Sequence, residues 1–257
     1  MKNTSTFNSW VTYTNPNPQA SLRLFCFPYA GGGVQSFRTW SVSLPSTVEI
    51  CPVELPGRGS LISLTPFTRL LPLVQAIAQT LLPHLDKPFA FFGHSMGALI
   101  SFELARLLST QHDLHPVHLF VSSCRAPQIP DPDPPIHALP EPEFIQELRQ
   151  LNGTPEAVLE DNELMELLLP ILRTDFEVVE TYTYTQGSLL NCPITALSGL
   201  QDSKISYSDL EAWQTQTNAS FSSKLFPGDH FFLNSSQLLL LEFLSKELHQ
   251  IARKVTL

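Results

Sequence analysis

The segment Phe89-Ala-Phe-Phe-Gly-His-Ser-Met-Gly-Ala98 restricts the available architectures more than any other part of the chain. An apolar run enters Gly93-His94-Ser95-Met96-Gly97, and an apolar helical pattern (Leu99, Ile100, Phe102, Leu104, Ala105, Leu108) follows at once. A strand passes into a helix this abruptly only through a sharp, strained turn, and small flanking residues let the two elements approach. The serine at the apex is then presented above the sheet, where the first helical N–H groups and the positive end of the helix dipole gather. A plain tight turn is the alternative, but the strand before and helix after are the context that favours a nucleophile at Ser95. His94 is adjacent in sequence, but neighbours across such a turn point apart, so a packing role is expected for it.

The rest of the chain repeats the strand–helix alternation. Apolar runs at 22–27, 48–53, 88–92, 117–122, 193–197 and 221–226 read as strands covered on both faces. Helical patterns at 34–44, 66–85, 96–109, 204–215 and 235–251 lie between and after them. This order predicts an α/β fold with a mostly parallel, doubly wound sheet. The alternation breaks once, over 125–190, which opens with Pro127-Gln-Ile-Pro-Asp-Pro-Asp-Pro-Pro135 and continues with helical patterns at 141–151, 159–169 and 175–184. Prolines give a stiff exit from the sheet layer, and amphipathic helices need a surface to cover. The expectation is one domain over 1–257 with a helical lid inserted at 125–190.

Composition narrows the function. The net charge is −9, with 24 acidic against 15 basic residues and no basic run, so a nucleic-acid partner is not expected. Cys26, Cys51, Cys124 and Cys192 are scattered without CxxC spacing, so neither a metal site nor a redox pair is predicted. The polar residues 1–18 lack the apolar core of a signal peptide, and no apolar stretch is long enough to span a membrane. A cytosolic monomer is the simplest expectation.

A serine hydroxyl needs a base to act as a nucleophile, and the base needs an orienting acid. With the chain order Ser…Asp/Glu…His, His230 in Leu225-Phe-Pro-Gly-Asp-His-Phe-Phe232 follows a strand on a loop that can fold over the serine. His84, His112, His115, His118, His137 and His249 lie in helices, strand entries or the insertion. Asp202, in Pro193-Ile-Thr-Ala-Leu-Ser-Gly-Leu-Gln-Asp202, follows the preceding strand and is the expected acid; Asp229 would point away, and Asp175 and Asp209 lie in helical patterns. The run Phe27-Pro-Tyr-Ala-Gly-Gly-Gly33 ends the first strand where a second oxyanion donor is placed in such enzymes. The expected donors are the backbone N–H groups of Met96 and of Tyr29 or Ala30. A phosphate-binding loop would need G-x-G-x-x-G spacing or a GK[ST] ending, which this run lacks.

Together these elements resemble the α/β-hydrolase type II thioesterases that accompany polyketide synthases and nonribosomal peptide synthetases. The resemblance is carried by Phe27-Pro-Tyr-Ala-Gly-Gly-Gly33, Glu54-Leu-Pro-Gly-Arg-Gly59, Gly93-His-Ser-Met-Gly-Ala98, Ser198-Gly-Leu-Gln-Asp202 and Gly228-Asp-His-Phe-Phe232. It implies hydrolysis of acyl groups from the phosphopantetheine arm of an acyl or peptidyl carrier protein, with no cofactor of the enzyme's own and a mobile helical lid. In many chain-terminating relatives the acid follows the strand after the nucleophile helix; here Val121-Ser-Ser-Cys-Arg-Ala126 carries no carboxylate, which suits the later Asp202. Ser60-Leu61 departs from the family, whose members often carry a charge there.

Arg58, Arg125 and Lys204 fall just beyond strand ends and offer a basic rim for the phosphate of the arm, against the alternative of ordinary solvated charge. Three other functions use the same residues: hydrolysis of oxygen esters, transfer of the acyl group to an alcohol or amine, and a binding module with an inert triad.

Overall fold

The computed structural model describes residues 10–12 and 16–255, so most of the polar stretch 1–18 lies outside the described residues. Six strands, β1 (Leu22–Phe27), β2 (Val48–Pro52), β3 (Phe89–His94), β4 (His118–Ser122), β5 (Ile194–Gly199) and β6 (Phe221–Phe226), form a sheet of order β2-β1-β3-β4-β5-β6. Every strand pair in it is parallel. The expected runs are therefore strands to within two residues at either end. β6 differs in character: its residues alternate between half-buried and exposed, while β1 to β5, including the other edge strand β2, are almost wholly buried.

Alternation along β1 shows how the core divides. Phe25 and Phe27 point into the layer formed with α2 (Leu70–Leu81) and α3 (Met96–His112), whereas Leu22, Leu24 and Cys26 face the opposite layer. That second layer holds Phe37, Trp40 of α1 (Trp40–Ser43) and the inner face of the C-terminal helix. Side chains of period two on a strand thus meet helices on both faces, as the near-continuous apolar runs require. All four cysteines are free and buried within these layers, and burial pushes the thiols of Cys124 and Cys192 up to about 12.

Several helices are shorter than their patterns. The 34–44 pattern resolves into a 3₁₀ turn and the four-residue α1, and the 66–85 pattern into α2 and a following 3₁₀ turn. Pro66 lies ahead of the helix and Pro83 within the 3₁₀ turn, where a missing N–H is tolerated. Between β4 and β5 come α4 (Glu141–Leu151), α5 (Glu156–Leu159) and α6 (Asn162–Glu180). Here the structure corrects the sequence: the two helices expected at 159–169 and 175–184 are one helix, α6, which continues past Pro170. An interior proline costs about 3 kcal/mol. The stripe Met165, Leu169, Leu172 and Phe176, packed on Phe144 and Leu148, continues across it and outweighs that cost. After β5 come α7 (Tyr207–Glu211), started by a Ser206–Asp209 capping box, α8 (Phe232–Ser235) and α9 (Gln237–Val255).

Because β1 is followed on one side by β2 and on the other by β3, the winding reverses between β1 and β3. The carboxyl ends of adjacent strands at such a switch point form a crevice. Phe27, Gly93 and Ser122 mark that edge, since Phe27 pairs with Gly93 and His94 with Ser122.

At the opposite, amino-terminal end of β4, His118 is buried, stacked on Phe120 and bonded through Nε2 to Thr195 Oγ1 at 2.8 Å. Burial, then the charge of Lys254, lowers its pKa to about 4. The unfolded chain takes up the proton near pH 6.5, so folding stability is full above that pH and declines as pH falls toward 4. A His118→Gln variant should therefore lose about 2 kcal/mol less unfolding free energy than the wild type between pH 7 and pH 5, measured by urea denaturation. Parallel losses in the two proteins would contradict this.

Candidate active site

Ser95 stands between β3 and α3 with φ 53° and ψ −116°, a conformation that costs a non-glycine residue of order 1–3 kcal/mol. The two glycines of the motif make the turn possible in different ways. A β-carbon on Gly93 would lie 2.1 Å from the carbonyl oxygen of Gly97, and one on Gly97 would lie 2.1 Å from that of Phe27. Gly93 thus lets the helix fold back on its own strand, and Gly97 lets the helix press on the end of β1. The Ser95 N–H is fixed to the Ser122 carbonyl at 2.8 Å.

The loops after β5 and β6 bring the other two residues to the serine. His230 Nε2 lies 3.1 Å from Ser95 Oγ, and His230 Nδ1 lies 3.0 Å from Asp202 Oδ2. With the Nδ1–H donated to the carboxylate, Nε2 carries the lone pair that faces the hydroxyl. The Asp202 side chain is fully shielded from solvent. Burial alone would raise its pKa; hydrogen bonding and attraction from His230, the Lys204 N–H and the Ser123 hydroxyl outweigh this and hold the carboxyl below the usual range.

The two loops also hold each other. Gln201 N–H donates to the Gly228 carbonyl at 2.9 Å, and the Gly228 N–H donates to Gln201 Oε1 at 2.7 Å. A β-carbon on Gly199 would lie 2.2 Å from the Asp229 carbonyl, so the glycine ending β5 allows the His230 loop to cross directly over it. Ser123, held at φ 44°, donates its hydroxyl to the His230 carbonyl at 2.9 Å. Sequence reading missed the parts played by Gln201 and Ser123, because nothing in the spacing of a loop reveals which backbone group it will meet. Asp229 faces away from the serine, as expected: it accepts from the Phe231 N–H and from Asn152 of the insertion. His94 is fully buried among Tyr29, Phe231 and Phe232, with Nδ1 2.9 Å from Ser122 Oγ. Burial, then neighbouring His230, keeps its imidazole well below the usual histidine range and hence neutral.

Met96 is the first residue of α3, so its N–H belongs to the set a helix start leaves without an intrahelical acceptor. Tyr29 and Ala30 sit half-buried on the loop after β1, against which Gly97 packs. The next N–H, that of Gly31, is directed to Asp175 Oδ2 at 2.7 Å.

Arg58 does not stand on an open basic rim, and Arg125 and Lys204 are engaged in ion pairs. Arg58 is buried and binds Asp175 of α6 through two bonds of 2.7 and 2.6 Å, with a third to the Gly32 carbonyl at 2.8 Å. Arg125 is bonded to Asp131 and to the Pro130 and Lys204 carbonyls, and Lys204 Nζ to Asp133. The cations turn to the acidic residues of the insertion, whose contribution the sequence positions beyond the strand ends could not show. Glu54, opening the Leu-Pro-Gly-Arg-Gly element, is also buried; burial raises its carboxyl even though the Val34 N–H, Arg58 and the Ser60 N–H favour its charge.

Gly199→Ala should shift the His230 loop and slow labelling of Ser95 by a fluorophosphonate probe at least tenfold, at a stability cost of about 1–3 kcal/mol. Labelling at the wild-type rate would show that the close crossing is dispensable.

Comparison with known proteins agrees with this geometry. The model of the thioesterase domain family matches residues 22–248. Gramicidin S biosynthesis protein GrsT of Aneurinibacillus migulanus is 49% identical over 247 residues, which cover 96% of each chain. The solved structure of RedJ, a thioesterase from the prodiginine biosynthetic pathway in Streptomyces coelicolor, superposes with a TM-score of 0.84 at 38% identity, over 90% of this chain and 87% of that one. YbtT, a type II thioesterase from the yersiniabactin NRPS/PKS biosynthetic pathway, superposes with a TM-score of 0.84 at 29% identity, over 94% of this chain and 99% of its own. A sheet wound about the β1/β3 crevice, a strained serine at its edge and this similarity along nearly the whole chain place the protein in the thioesterase family.

Proposed function

We propose that the protein is a type II thioesterase that removes acyl groups from the phosphopantetheine arm of acyl or peptidyl carrier proteins, clearing aberrant acyl groups during polyketide or nonribosomal peptide synthesis. The observation that carries this reading is the hydrogen-bonded series Asp202–His230–Ser95, with its serine held in a strained turn at the helix start. The thioester preference is supported by family membership, and the biosynthetic setting by the gramicidin S and yersiniabactin relatives.

In the proposed mechanism Ser95 Oγ attacks the thioester carbonyl as its proton passes to His230 Nε2. Asp202 stabilises the resulting imidazolium through Nδ1–H. The carbonyl oxygen, now negative, is held by the N–H of Met96 and that of Tyr29 or Ala30; one such donor contributes about 2.7–4 kcal/mol in comparable sites. Collapse expels the pantetheine thiol, which takes the proton from His230, and leaves an ester on Ser95. Water, deprotonated by the same imidazole, then attacks the ester, and the serine oxygen leaves with that proton. Every proton is carried by protein groups, so the reaction calls for no metal or cofactor beyond the arm borne by the substrate. Residues 125–190 are proposed as the lid, since α4 to α6 extend from the sheet edge and touch both the glycine loop and the His230 loop. The working unit is proposed as a monomer in the cytosol, a setting that suits four free cysteines.

The test compares acyl-loaded carrier protein with a nitrophenyl ester and follows both by mass spectrometry of carrier and product. Carrier-bound thioester should be hydrolysed with the higher kcat/KM. Ser95→Ala should lower kcat by about 10⁶-fold and Asp202→Asn by about 10⁴-fold, in line with other triads. A preference for the oxygen ester, or acyl transfer to an added amine in place of water, would overturn the assignment.

A further inference from the structure

Asp175 belongs to the insertion, yet its carboxylate lies among atoms of the glycine loop. Oδ2 accepts the Gly31 N–H at 2.7 Å and both oxygens accept from Arg58, while Arg58 also donates to the Gly32 carbonyl at 2.8 Å. The ion pair therefore grips the stretch Gly31–Gly32 from both sides, one partner on its N–H and the other on its C=O. Gly31 has φ +77°, and a β-carbon there would lie 2.4 Å from Leu172 Cδ2, one turn before Asp175 on α6. Two residues along the loop, Glu54 accepts the N–H groups of Val34 and Ser60, and its Oε1 lies 3.0 Å from where a Gly33 β-carbon would stand. The loop that carries Tyr29 and Ala30 is thus held in shape partly by its own β2-end element and partly by α6.

We propose that Asp175, through Arg58, is a positioning residue: the oxyanion loop takes its working shape only when α6 is seated. This rests on the proposed role of Ser95 and the Tyr29/Ala30 N–H groups. Four bonds join α6, the Arg58 element and the loop, and any outward movement of α6 carries Asp175 off the Gly31 N–H. The third bond from Arg58 does not depend on α6, but without Asp175 the guanidinium loses the carboxylate that orients it. Substrate entry and transition-state stabilisation are then coupled. An α6 lifted to admit an acyl chain leaves the donors disordered, and reseating restores them around the bound thioester. The Gly31 N–H is itself committed to this latch, since it donates to Asp175 Oδ2.

The experiment uses the full-length protein and a small nitrophenyl ester, so that carrier docking plays no part. Asp175→Ala should lower kcat at least tenfold with KM within threefold of wild type, and should weaken binding of an alkyl boronic acid, which forms a tetrahedral adduct, by a similar factor. The pH dependence of kcat/KM should keep its shape, because the triad is untouched; Asp175→Asn, which retains an acceptor for Gly31, should recover part of the rate. Because an unpaired buried Arg58 can compromise folding, the double variant Arg58→Met/Asp175→Leu is the second arm. It replaces the pair by apolar groups, which commonly preserves stability, and it should fold with a wild-type circular dichroism spectrum yet stay at least tenfold slow. Hydrogen exchange of the wild type gives a third arm, in which peptides covering 28–33 and 170–178 should open together. A folded double variant with wild-type kcat, or free exchange at 28–33 while 170–178 stays protected, would overturn the latch. Ser95→Ala is measured alongside: if it remained active, the proposed chemistry would fail, whereas its inactivity with unaffected Asp175 variants would refute the latch alone.

Discussion

The absence of two β-carbons, at positions 93 and 97, is the constraint on which the rest of the site depends. Any side chain at either position would meet a backbone oxygen at about 2.1 Å. With both absent, α3 settles directly on the ends of β1 and β3, and Ser95 is forced into its positive-φ conformation at the apex. The strain is borne by extensive burial: β3 and the first ten residues of α3 lie almost wholly within the core. Such a turn cannot relax without pulling the helix from the sheet, so the hydroxyl stays where the neighbouring loops can find it.

Parallel topology does the rest. Each strand delivers its following loop to the same edge, so residues 27–33, 95, 122–123, 199–202 and 228–230 converge although they are scattered along the chain. The loops that carry Asp202 and His230 are then bonded to one another through Gln201 and Gly228, which fixes the spacing of the two side chains from outside them. Preorganisation of this kind is what electrostatic stabilisation requires, since donors fixed in advance need no rearrangement as charge develops.

How much of this was legible in the sequence depends on the kind of interaction. The parallel sheet and the strand–turn–helix at Ser95 follow from local pattern, because burial on both faces and a steric need for glycine leave marks on neighbouring residues. Chain order then points from Ser95 to Asp202 and His230, and the three lie within 3.1 Å of their neighbours in the series. The separate patterns at 159–169 and 175–184 hide a single α6, because the apolar stripe from Met165 to Phe176 carries the helix through Pro170. That continuation sets Asp175 over Gly31. Arg58 invites a place on the rim by its local position beyond β2, but its partner lies 117 residues away on an inserted helix. Long-range polar pairs leave no periodic trace, and they are the part that only coordinates supply.

Whether Ser95 itself takes the acyl group from a carrier-bound thioester can be read by rapid quenching of the enzyme with excess acyl-loaded carrier protein, followed by peptide mass spectrometry. A transient acyl ester should form on the peptide bearing Ser95, in step with release of free-thiol carrier. Release of that carrier at full rate, with the Ser95 peptide unmodified at every quench time, would contradict this role of Ser95.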